Sequence, residues 1–197
     1  MATKLELINQ LYDEETKELS SPTKWMEFLS SACRNYKCRF DEQVLIYAQK
    51  PDAIAVLELE KWNKNFSRWV NKGATGIAVF DSDKTERRRL KYYFDVSDTH
   101  ENRYSRPVTF WQMTAEYESE VIETLENTFG DLETKSTLPL AIISAAQNAV
   151  DDNIGDYLSD LKYCLEDSYL EDMGEDYIQK TFKELITNSI AYMLMTR

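Results

Sequence analysis

Apolar residues recur at helical spacing from the start of the chain: Leu5, Ile8, Leu11 or Tyr12, and Leu19 predict a first helix. A second begins afresh at "SSPTKWMEFLSSACRNY", with Ser21 as N-cap and Pro22 at the first helical position, where a missing N–H costs nothing. In "FDEQVLIYAQKPDA", Phe40, Val44 and Tyr47 fall at i, i+4 and i+7, predicting a short helix capped by Asp41 and ended before Pro51. The pattern then changes. "AIAVLE" reads as a strand, "LEKWNKNF" as one short helix, and "RWV", "GIAVFD" and "LKYYFDVSDT" as strands rich in β-branched and aromatic residues. Gly73 and Gly76 stand between two of these strands, and a G-x-x-G turn there predicts a hairpin that brings them together.

From Thr114 helical spacing returns. "TAEYESEVIETLENTFG" runs from a Thr cap to Gly130 as terminator. The remainder is helical throughout, with breaks expected near Asp151, Gly174 and the acidic runs. The expected class is α+β: a small antiparallel sheet with helices over residues 1–130, a linker around Gly130 to Pro139, and an all-helical module over residues 131–197.

Composition narrows the function. The chain has 197 residues, 43% of them hydrophobic, enough to fill a core. No run of eighteen apolar residues occurs and the N-terminus is polar and acidic, so the expectation is a soluble cytoplasmic protein without a membrane or small-molecule partner. Three cysteines, Cys33, Cys38 and Cys164, read as buried thiols in a reducing compartment. No phosphate-loop, dinucleotide-binding, nucleophile-elbow or HExxH motif is present, and His100 is the only histidine. Cys33 and Cys38 lack partners for a plausible zinc site, and "DDNIGDYLSDLK" fails as a calcium loop because its glycine is fifth and its twelfth residue is Lys162. No cofactor, metal or catalytic group is expected.

The net charge of −12 is unevenly spread. Residues 1–21 carry −3, residues 22–110 carry +4 and residues 111–197 carry −13. Charges act over about 10 Å at ordinary salt, so a locally basic middle can hold an anion despite an acidic total. That middle interleaves cations and rings: Lys24, Trp25, Arg34, Tyr36, Lys37, Arg39, Tyr47, Lys50, Trp62, Lys64, Arg68, Trp69, Lys72 and "KTERRRLKYY". Single-stranded nucleic acid is held in this way, bases stacking on rings while Lys and Arg hold phosphates. Two plainer readings compete: the tryptophans as core, and Arg87 to Arg89 as a charged strand edge.

The ordered segments "KWMEFLSSACRNYKCRFDEQVLIYAQKPDAIAVLELEKWNKNFSRWVNKGATGIAVFD" resemble the N-terminal domain of ArdC-type antirestriction proteins. A wider likeness, through "YYFDVSDT", "VTFWQM" and "EDSYLED…NSIAYMLMTR", is to the N-terminal regions of large mobile-element proteins of Firmicutes described as helicases or DNA methylases. The resemblance implies a single-stranded DNA-binding α+β domain, non-catalytic by itself, cut from the N-terminus of a longer protein whose catalytic remainder is a further partner. "NKNFSRW" departs from the family's glycine-bearing approach to the hairpin. Carried over by position, the nucleic-acid-binding candidates are Tyr36, Lys37, Arg39, Gln43, Tyr47, Gln49, Trp62, Arg68 and Lys72. Tyr47 would stack, Gln43 would bond a base edge or sugar, and Lys37, Arg39, Arg68 and Lys72 would neutralise phosphates. Trp62 and Trp69 divide between stacking and core. The alternative function is an acidic protein-interaction or DNA-mimic module built on the helical C-terminal segment.

Overall fold

The computed structural model describes residues 2–81, 89–165, 168 and 170–197. Arg87 and Arg88 of the basic run, and Glu166, Asp167 and Tyr169 of "EDSYLED", lie outside the described residues. The chain forms two compact units, Met1–Phe110 and Trp111–Arg197. The division falls earlier than position 130 because the helix ending at Phe129 packs on the one that follows it. It coincides with the step in charge, leaving +1 on the first unit and −13 on the second.

In the first unit, α1 (Lys4–Glu18) begins with a capping box: the Glu6 N–H donates to Thr3 Oγ1 while the Thr3 N–H donates to Glu6. Then come α2 (Pro22–Arg34) and α3 (Phe40–Gln49). The α3 cap position is Arg39 rather than Asp41; its N–H donates to Glu42, and Asp41 sits in the first turn against the Arg39 guanidinium. A three-stranded antiparallel sheet has the order β1 (Val56–Glu58), β4 (Arg89–Asp95), β3 (Ile77–Asp81). A separate two-stranded ribbon pairs β2 (Trp69–Val70) with β5 (Thr99–His100), Trp69 opposite His100. Between β1 and β2 lies α4 (Leu59–Phe66).

The expected glycine hairpin therefore does not form: β2 and β3 belong to different sheets. Gly73 occupies the third position of the turn Asn71–Ala74 at φ +88°, which a side chain would strain, and this turn hands the chain from one sheet to the other. Gly76 is small for another reason. A Cβ there would meet the Phe94 ring and Tyr92 Cβ at 3.1 Å.

The core of this unit joins Ile8 of α1, Leu45 and Ile46 of α3, and the buried run Ile77, Ala78, Val79 and Phe80 of β3. One carboxylate organises the far end of the sheet. Asp95 is buried and accepts from the N–H groups of Ile54, Ala55 and Ser97 and from the Ser97 hydroxyl. Burial opposes its ionisation, but the Ser97 hydroxyl and these N–H groups outweigh that cost and hold its carboxyl below the usual range.

The second unit is helical: α5 (Glu118–Phe129), α6 (Leu138–Lys162) and α7 (Glu175–Thr196), with α6 packed against both neighbours. The expected break at Asp151 is absent, since α6 runs through it to Lys162, whereas the one expected at Gly174 is present, where Gly174 is the N-cap of α7. The segment around Gly130 to Pro139, expected as a linker, packs on α6. Leu132 is buried beside Ala141 and Ala145, and Thr134 bonds Ser144. Cys33 is buried, but Cys38 is half-buried and Cys164 exposed. Among the described residues, no helix is long and apolar enough to cross a membrane.

Replacing Asp95 by Asn turns an amide N–H2 toward groups that need an acceptor, and a loss of about 2–3 kcal/mol in urea unfolding is expected at neutral pH. The folded pKa is depressed, so the contribution is complete above the unfolded value of about 4 and disappears as pH falls through the folded one. Asp95→Asn should accordingly lack that part of the acid-induced loss of stability.

Candidate nucleic-acid interface

The nucleic-acid-binding candidates are divided between separate elements. Tyr36 and Lys37 are exposed on the α2–α3 loop, with Lys37 Nζ 5.6 Å from the centre of the Tyr36 ring. Arg39 is held by a two-point contact to Asp41 at 3.0 and 2.7 Å, and its guanidinium also reaches the Phe80 carbonyl. Gln43 donates to the Asn35 carbonyl and steadies the loop. Gln49 has a backbone role: its carboxamide donates to the Ala78 carbonyl and accepts from the Ala78 N–H, docking α3 on the free edge of β3 like an added strand.

Three candidates are withdrawn for physical reasons. Tyr47 is buried, with its edge against Phe28 and its hydroxyl donating to Glu27. Burial and that carboxylate push its pKa up to about 12. It borders an open cleft of mixed charge, lined by Lys24 and Arg34 as well as by Glu15, Glu27 and Asp52. Trp62 is 0% exposed, its indole donating to the Phe94 carbonyl at 2.7 Å, so no base can reach its face. Arg68 is 8% exposed; it donates to Thr99 Oγ1 at 2.8 Å and pairs with Glu101, so its charge is neutralised internally. Lys72 remains exposed on the Asn71–Ala74 turn.

Elsewhere in the same unit the backbone assembles an alternative. Arg68, between the α4 cap and β2, is buried, whereas Trp69, the first residue of β2, is 54% exposed. Beside it lies an open cleft of 370 Å³ lined by Asn63, Ser67, Trp69, Asn102, Arg103 and Tyr104. Tyr104 is 68% exposed, with the Arg103 guanidinium 4.6 Å from its ring centre.

The loop presenting Arg103 and Tyr104 is pinned to the end of α4. The Asn102 amide and the Ser105 hydroxyl both donate to the Ser67 carbonyl, the Tyr104 N–H donates to Asn102 Oδ1, and the Arg106 N–H donates to the Phe66 carbonyl. Ser67 itself caps α4 in the left-handed region at φ 52°, where glycine is the ordinary occupant. Trp69 was one of two tryptophans divided between roles, and its exposure decides for the surface. Arg103 and Tyr104 escaped the sequence reasoning; the signal was "RYSR", a tyrosine between two arginines in a polar loop before Pro107.

Comparison with protein-family models, curated proteins and solved structures finds no match to the chain.

The two tryptophans should separate in unfolding experiments. Trp62→Ala empties a sealed site and should lower stability by about 3–5 kcal/mol. Trp69→Ala removes a surface ring and should change it by less than about 1 kcal/mol. Equal losses would show that Trp69 is part of the core.

Proposed function

We propose that the first unit is a non-catalytic single-stranded DNA-binding module that uses the Trp69–Tyr104 cleft. The observation that carries this is the pair of exposed rings, Trp69 and Tyr104, bordering one cleft with a guanidinium beside them. Large rings left in water forgo burial worth about 1.5–3 kcal/mol for a side chain of phenylalanine size. The network fixing the Tyr104 loop supports a role that needs this loop held in place, because each of its hydrogen bonds restricts the freedom of the backbone that carries the ring.

Stacking suits the shape. A base inserted against Trp69 or Tyr104 gains roughly 1–3 kcal/mol and requires an unpaired strand, since the faces of paired bases are covered by their neighbours. Arg103 lines the cleft, while exposed Arg106, Lys64 and Lys72 lie within a few residues of it along the chain and supply charge for the phosphates. The likeness of residues 24–81 to the ArdC N-terminal domain supports the same ligand. Cytoplasmic location and attachment to a larger mobile-element protein belong to this proposal.

Titration of a labelled mixed-sequence oligonucleotide tests it. Trp69→Ala and Tyr104→Ala should each weaken binding about 5- to 100-fold. Four contacting cations give a log–log salt slope of about −3. Unchanged affinity in both variants, or no binding at low salt, would overturn the proposal; tighter binding of the ribose version would move it to RNA. The acidic second unit favours a rival reading as a protein-docking or DNA-mimic module, since its −13 charge is confined to residues 111–197. Recovery of a basic protein partner through that unit, with no oligonucleotide binding, would select the rival.

A further inference from the structure

The β2–β5 ribbon places a second ring beside Trp69. Its register sets Trp69 opposite His100 and Val70 opposite Thr99. Residues directly opposite in an antiparallel pair share a face, with Cβ atoms about 4.5–5.5 Å apart. Burial follows the pairing: Trp69 and His100 are both exposed, whereas Thr99 is buried and Val70 half-buried. The outward pair of the ribbon is therefore an indole next to an imidazole, and that imidazole belongs to the one histidine in the chain.

The His100 ring is held in position. Its Nδ1 lies 2.7 Å from Asn71 Oδ1, and because a carboxamide oxygen only accepts, Nδ1 donates. Asn71 is itself fixed at the start of the turn that carries Gly73: its N–H donates to the Asp98 carbonyl and its carbonyl accepts from the Ala74 N–H. A bond to a ring nitrogen runs in the plane of the ring, so it steadies the imidazole at an edge and leaves the faces for stacking. Holding an exposed side chain in one orientation costs rotamer freedom, which a stacking surface recovers when a base arrives. The same turn carries the exposed Lys72.

We infer that His100 is a second stacking residue, so that the unit holds two consecutive nucleotides: one base in the cleft against Trp69 or Tyr104, the next against the His100 imidazole, with Lys72 supplying charge for their phosphates. This rests on the nucleic-acid reading above and extends its site by one position. Bases follow one another at about 3.4 Å along a strand of a stacked duplex, and an unpaired strand stretches beyond that. Rings rooted about 5 Å apart therefore suit neighbouring bases. An imidazole stacks on any base, so the second position adds affinity without selecting sequence.

Because the chain has one histidine, NMR signals of an imidazole in the untagged full-length protein report on His100 alone. Titration with a short single-stranded oligo(dA) should move them upfield through the ring current of a stacked purine. Fluorescence anisotropy with the same oligomer separates the ring from its hydrogen bond. His100→Gln keeps a donor for Asn71 without a ring and should weaken binding about fivefold or more. His100→Phe keeps a ring without the donor and should stay within about twofold of the native chain.

Imidazole signals unmoved at saturation, or full affinity in His100→Gln, would overturn the second position while leaving the Trp69–Tyr104 cleft standing. Equal losses in the two variants would assign His100 to the fold through its Asn71 bond and overturn the stacking role. Absence of binding by the native chain at low salt overturns both readings. Should a variant fail to fold, the native signals alone decide.

Discussion

The interaction on which the candidate interface depends is the burial of Arg68. Its guanidinium reaches Thr99 Oγ1 and Glu101, groups on and just beyond β5, and so ties the β2–β5 ribbon in register. A charge drawn inside needs such partners, because an unpaired buried cation is far more costly than a paired one. Arg68 is committed inward just before β2 begins, and Trp69, which opens β2, is left exposed. A cation is hidden and a large ring displayed, the reverse of the usual distribution.

Trp62 supplies the rigid support behind this arrangement. Buried, tilted against Phe66 and bonded to the Phe94 carbonyl, it locks α4 to β4. The end of α4 then provides the carbonyls of Phe66 and Ser67, on which the loop bearing Arg103 and Tyr104 is hung. A core tryptophan, a buried arginine and a left-handed serine thus position three surface groups that none of them touches a ligand to serve.

Much of the architecture was legible in local pattern. Pro22 after Ser21, the spacing of Phe40, Val44 and Tyr47, and the positive-φ Gly130 behind α5 mark helix ends by physics that acts over a few residues. The small antiparallel sheet was legible too, as was the acidic tail, whose charge step falls at the division between the units. The pairing of strands was not. Two-residue strands such as β2 carry no usable period, and whether a G-x-x-G segment closes a hairpin or passes between sheets depends on partners far along the chain. For the site, residue type misled where burial decides: Trp62 and Trp69 both stand in basic surroundings, yet Trp62 shares an i, i+4 stripe with Phe66 on α4 and Trp69 follows an inward arginine. Gln49 and Arg39 carried the functional groups expected of DNA contacts, but spend them on Ala78 and Asp41.

The most direct measurement is photochemical cross-linking of the intact protein to a single-stranded oligonucleotide carrying halogenated pyrimidines, followed by mass-spectrometric identification of the attached residue. Such bases couple preferentially to rings stacked on them. Attachment at Trp69 or Tyr104, competed by unlabelled single strands, is the expected result. Attachment confined to Tyr36 or to residues 111–197, or no attachment at low salt, would contradict the assignment of the cleft.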